Sequence, residues 1–150
     1  METRAWDSTK VTARGDGRYG ATVGPEWDLA LVPQGGVVAA VAARAMAAEL
    51  EAQQPLRAFH GVFASPVPHG SLDVHAQVIR AGRSVSQASV SVCAPGKDSG
   101  FSALAVFGGA RPGFSFPALV APGVPGPDAC PSFRDPPPLD FNPEWDGPWP

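Results

Sequence analysis

The stretch Val32–Met46, VPQGGVVAAVAARAM, constrains the fold of this chain more than any other. Pro33, Gly35 and Gly36 disfavour a helix interior, yet they lead straight into a run that reads only as helix. Arg44 is the only charge in that run. On a helix from about Gly36 to Glu51, residues Val37, Val38, Val41, Ala42, Ala45, Met46 and Leu50 spread over most of the circumference. Gln53, Gln54 and Pro55 end it. A helix that is apolar on nearly all sides has to be covered on nearly all sides. Alanines at 39, 40, 42, 43, 45, 47 and 48 keep it thin, so that strands can approach closely. A strongly curved sheet wrapped around the helix meets this requirement. A helix held between a sheet and a partner subunit meets it too.

The flanking segments supply such a sheet. Arg18–Val23 reads as a short strand, and LRAFHGVFAS from Leu56 alternates loosely with two phenylalanines. SLDVHAQVIR alternates cleanly: Leu72, Val74, Ala76 and Val78 share one face, with Ser71, Asp73, His75 and Gln77 on the other. AGR is a tight turn, SVSQASVSVC a strand of small and β-branched residues, APGKDSG a turn, and FSALAVFGG a further strand. Short connections imply antiparallel neighbours. The expectation is an α+β domain over residues 18–110, a curved antiparallel sheet around one long central helix. Twelve of the eighteen prolines follow Ala110, so 111–150 reads as a Pro-rich linker or strap. Residues 1–17 read as an N-terminal tail.

The net charge of −3, without a basic stripe, argues against nucleic-acid binding. Cys93 and Cys130 are too few for a disulfide scaffold. METRAWDSTK has no apolar signal core, and no apolar stretch reaches membrane-spanning length, so a cytoplasmic protein with free thiols is expected. His60, His69 and His75 lack metal-ligand spacing, and no metal or cofactor is expected. No serine sits in a nucleophile elbow.

In this order the segments resemble the acyl-CoA thioesterase II group of the hotdog fold, whose members carry two hotdog repeats in one chain. The matching residues are WDLALVPQGG leading into the helix, VAARAM within it, FHGVFASPVPHG, and the hairpin VIRAGRSVSQASVSV. APGVPGPDACPSFRDPPP looks like the proline-rich connection between repeats. The resemblance runs from Gly20 to Pro138 and corresponds to the first repeat. It implies a protein that hydrolyses or binds acyl-CoA thioesters, paired as a homodimer or with a second hotdog repeat. Two departures stand out. Gln34 occupies a place where members often carry an aromatic, a histidine or an asparagine. The members keep their water-activating acid, hydroxyl and amide in the second repeat, and no aspartate here matches the catalytic one.

Thioester hydrolysis needs an activated water and donors for the oxyanion. A helix N-terminus supplies backbone N–H groups and a favourable dipole. Gly35 and Gly36 would let a thioester carbonyl approach those donors, or would serve close helix–strand packing. With Val37 beside them, they form the candidate substrate-binding set. Asp28 and Glu26 are the nearest upstream acids. Asp28 is the catalytic candidate for orienting water, against a reading as loop solvation. Gln34 is a second catalytic candidate, able to hold a water or donate to an oxyanion. Arg83, after the hairpin glycine, is the candidate contact to a coenzyme A phosphate, against an exposed turn arginine. With no evident base, two alternatives stay open: a non-catalytic repeat that binds acyl chains, and a dimerisation module.

Overall fold

The computed structural model describes residues 5–98, 100–110, 112–113, 120, 122–124 and 126–129. One helical turn, α1 (Ala5–Ser8), precedes strands β1 (Val11–Gly15) and β2 (Arg18–Val23). A 3-10 turn at Pro25–Trp27 and a loop lead to α2 (Gly35–Glu49). Four strands follow: β3 (Leu56–Phe63), β4 (Gly70–Arg80), β5 (Val85–Cys93) and β6 (Phe101–Gly108). They form one six-stranded antiparallel sheet in the order β1-β2-β4-β5-β6-β3. This is the hotdog architecture, a curved sheet around one helix.

The apolar helix is explained by what surrounds it. Val37, Val38, Val41, Ala42, Ala45 and Met46 are buried against β4, β5, β6 and β2. Within the core they meet Leu72, Val74 and Ala76 of β4, Ala88, Val90 and Val92 of β5, and Phe101 and Phe107 of β6. The opposite side is only half covered: Ala39, Ala40, Ala43, Arg44 and Ala47 are intermediate in exposure. Arg44 pins α1 and Thr9 across that side. Its Nη1 donates to the Trp6 carbonyl and to Thr9 Oγ1, and its guanidinium lies 4.1 Å from the centre of the Trp6 ring. The helix ends two residues before the expected Glu51. Glu51 itself takes a left-handed φ of 46°, and Ala52 N–H returns to the Ala47 carbonyl at 2.9 Å, which satisfies the last turn. Glu49 is held by the Tyr19 hydroxyl, which donates to its carboxylate at 2.7 Å. Burial and that carboxylate push Tyr19 up to about 12.

Residues 1–17 include a sheet strand, β1, which pairs with β2 from Val11↔Ala21 to Gly15↔Arg18. Four of its five residues are exposed, so it carries none of the alternation that marks a half-buried strand. Asp16 (φ 51°) between Gly15 and Gly17 closes the hairpin. A Cβ at Gly17 would run into the Ala76 carbonyl. In β4 the alternation holds for Leu72, Val74 and Ala76. Val78, expected on the same face, is 38% exposed, because the pairing with β5 shifts between Val78 and Arg80. Pro112–Pro150 is a separate unit, in which Pro127–Ala129 form a 3-10 turn. The segment FNPEWDGPWP and Cys130 lie outside the described residues.

Candidate functional site

The two glycines at the start of α2 have different surroundings. A Cβ on Gly35 would stand 3.1 Å from the Phe63 ring, whereas one on Gly36 would meet only the Gln34 side chain at 3.8 Å. Gly35 therefore serves close packing, and Gly36 is open. A line of aromatic contacts fixes the ring on Gly35. A Cβ at Gly61 would strike the Phe101 ring, so glycine there lets Phe101 lie over β3. Phe101 in turn packs on Phe63 with ring centres 4.5 Å apart.

Gln34 is the N-cap residue of α2, is exposed, and makes no side-chain cap. Its own N–H donates to the Trp27 carbonyl at 2.9 Å. The first-turn N–H groups of a helix have no intrahelical acceptor. With no side-chain cap from Gln34, those of Gly35 and Gly36 can receive a ligand oxygen, aided by the helix dipole. Two apolar hollows flank this end. One, of about 620 Å³, lies between the loop Leu29–Pro33 and the segment Phe63–Val67, with Gly35 at its base. Leu29 and Leu31 are 79% and 90% exposed on its rim. The other, of about 420 Å³, runs along the half-covered side of α2 from Gln34 and Gly36 to Arg44, walled by Trp6 and Trp27.

Asp28 lies beside the entrance. Its backbone bridges to Pro33, two residues before Gly35. Its Oδ2 is 2.6 Å from His69 Nδ1, and its Oδ1 is buried without a partner among the described residues. The pair ties together the two loops that wall the larger hollow. Asp28 orients the imidazole, and the His69 side chain is 49% exposed, the arrangement of a histidine base held by a carboxylate. His69 carried no local signal, since it stands 41 residues from its partner. Trp6 and Trp27 were likewise not singled out by sequence.

The other expected residues are placed apart. Val37 is 4% exposed; it belongs to the core and also lines the smaller hollow. Arg83 is exposed in the β4–β5 turn, where its carbonyl accepts from Gln54 Nε2 at 2.7 Å. Gln54 follows the C-terminal end of α2, and fifteen helical residues at ~1.5 Å each put that end about 22 Å from Gly35. Arg83 is thus not brought to the helix entrance. Among the described residues no group of His, Cys, Asp or Glu is placed to hold a metal, and no helix is long and apolar enough to cross a membrane.

Known proteins share this architecture. A hotdog-fold protein of unknown function from Alicyclobacillus acidocaldarius is similar at 27% identity and a TM-score of 0.80, over 93% of this chain and 52% of that one. A Novosphingobium aromaticivorans structure is 31% identical over 81% of this chain and 49% of its own, with a TM-score of 0.67. The acyl-CoA thioesterase II TesB2 of Mycobacterium marinum, 21% identical, shares the fold at a TM-score of 0.68 over 87% of this chain and 48% of its own. The chain thus spans about half the length of these structures. Among curated proteins, none matches the sequence. The family model of the acyl-CoA thioesterase N-terminal domain matches residues 23–108, the span from the end of β2 to the end of β6. By that match and by its fold, the chain belongs to the acyl-CoA thioesterase N-terminal domain family.

Proposed function

We propose that this chain binds acyl-CoA thioesters at the N-terminal end of α2 and contributes to their hydrolysis. The observation that carries this reading is an uncapped helix N-terminus, opened by Gly36, between two apolar hollows. The thioester carbonyl accepts from the first-turn amides, and the oxyanion formed by water attack is stabilised there. Gln34 adds a side-chain donor. His69, oriented by Asp28, takes the proton of the attacking water, and the coenzyme A thiolate leaves. The catalytic candidates Asp28 and Gln34, with Gly35 and Gly36 as substrate-binding residues, thereby acquire distinct roles.

A second reading, a repeat that binds acyl chains without cleaving them, is favoured by the apolar lining of both hollows. A pairing partner follows from the edge of the sheet. Among the described residues β3 is a sheet edge, paired only with β6, and seven of its eight residues are exposed. An open edge of this kind recruits another strand. The proposed occupant is a second copy or a second hotdog repeat. The proposed compartment is the cytoplasm, in keeping with the free thiol of Cys93.

Hydrolysis of an acyl-CoA panel by the 150-residue chain tests the enzyme reading. Turnover that falls at least about a hundredfold in His69→Ala, the usual weight of a general base, supports it. Binding without turnover supports the acyl-binding repeat, and the absence of both removes each. Sedimentation at micromolar concentration tests pairing, and a monomer there counts against it.

A further inference from the structure

Arg44 is the only charged residue among the first fourteen of α2, and its environment is not that of a surface arginine. It is half buried. Its Nη1 donates to the Trp6 carbonyl and Thr9 Oγ1, and its plane lies on the Trp6 ring. All three partners are neutral. Among the described residues no carboxylate lies within ion-pair distance of it. Of the five N–H donors of a guanidinium, Nη1 supplies two, so the Nε and Nη2 edge has no described protein acceptor. A cation fixed in place, partly desolvated and not neutralised favours an anion opposite it.

The hollow that ends at Arg44 begins at Gln34 and Gly36, the same amides that the proposed function assigns to the thioester carbonyl. Between the two ends, Val37, Ala40 and Ala43 present only hydrocarbon. Trp27, whose Nε1–H is buried without a partner among the described residues, lines the same space and adds another unused donor. Residues 36 and 44 are separated by about 12 Å along the helix axis. The arginine side chain leans toward the helix N-terminus and shortens the span to about 6–12 Å, the length of an acyl chain of about six to ten carbons.

Resting on the acyl-CoA reading above, we propose that the hollow along α2 selects acyl thioesters whose far end is a carboxylate, with Arg44 as the specificity-determining residue. The guanidinium edge pairs with the terminal carboxylate in a two-pronged contact. A plain fatty acyl chain of equal length fills the same space but leaves that edge unpaired.

Titration calorimetry of the full chain with suberoyl-CoA and octanoyl-CoA, both eight carbons long, tests this. The expected result is at least tenfold tighter binding of suberoyl-CoA. Arg44→Gln abolishes the difference between the two ligands. Arg44→Lys, which keeps the charge but not the two-pronged edge, retains part of the preference and serves as the second variant. Equal affinity of the two ligands in the unmodified protein, or a preference that survives Arg44→Gln, overturns the inference and leaves the acyl-CoA reading standing. Failure of both ligands to bind overturns the two together.

Discussion

The unequal roles of the paired glycines give a sharp stability prediction. Neither carries a positive φ, so alanine is permitted by the backbone at both positions. Replacing a helical glycine by alanine contributes about 0.5–1 kcal/mol through helix propensity and reduced freedom of the unfolded chain. Gly36→Ala adds a methyl at ordinary contact distance, 3.8 Å from Gln34 Oε1, and keeps the whole gain. For a domain near 100 residues that raises Tm by about 2–6 °C. Gly35→Ala places its methyl 3.1 Å from the Phe63 ring. Overpacking costs about 1–3 kcal/mol, and the lower end applies because Phe63 is half exposed and can yield. The gain is then cancelled, and Gly35→Ala melts at or below the unmodified protein. Thermal unfolding followed by circular dichroism reads both. In a Phe63→Ala background the clash has no partner, and the two variants should shift Tm equally relative to that background. Equal shifts in the unmodified background, or a gap that persists without the ring, would refute the assignment of Gly35 to packing.

Other outcomes follow from buried groups. Tyr19 is raised to about 12, so the folded state holds its proton where the unfolded chain has lost it. Stability should therefore fall as pH climbs from about 10 toward 12; chemical denaturation across that range should show a shallower fall in Tyr19→Phe. Burial, with Asp73 and Asp98 nearby, raises the Cys93 thiol. In a Cys130→Ser background, iodoacetamide at pH 8 should alkylate Cys93 more slowly in native than in urea-unfolded protein, and equal rates would contradict the raised value. Met46 is fully buried between helix and sheet, and Met46→Ala should cost about 2–5 kcal/mol in urea unfolding.

Legibility in sequence followed the physics of each signal. The helix was readable because fourteen residues with a single charge can be buried only under other structure. The β4–β5 hairpin was readable because Leu72, Val74 and Ala76 alternate against polar neighbours. β1 was not, since a strand exposed at four of five positions leaves no periodic trace. The different environments of Gly35 and Gly36 were not visible either. They depend on where Phe63 comes to rest, 27 residues downstream of Gly36, through Phe101 and Gly61 on two strands. The Asp28–His69 contact joins two loops whose approach is dictated by the sheet, so neither residue announces the other. Arg44 was conspicuous as a lone charge, but its neutral partners Trp6 and Thr9 come from a segment that reads as a tail.

Phe63 has a wider consequence. The ring belongs to the open edge strand, where a partner strand would lie, and it also rests on the first residue of α2, where a thioester would lie. One side chain thus joins the proposed assembly edge to the proposed substrate site. If occupying the edge shifts that ring, the helix entrance shifts with it, and binding free energies couple in both directions by the same factor. The degree of association of this chain and its appetite for acyl-CoA would then be a single thermodynamic property, measured from two ends.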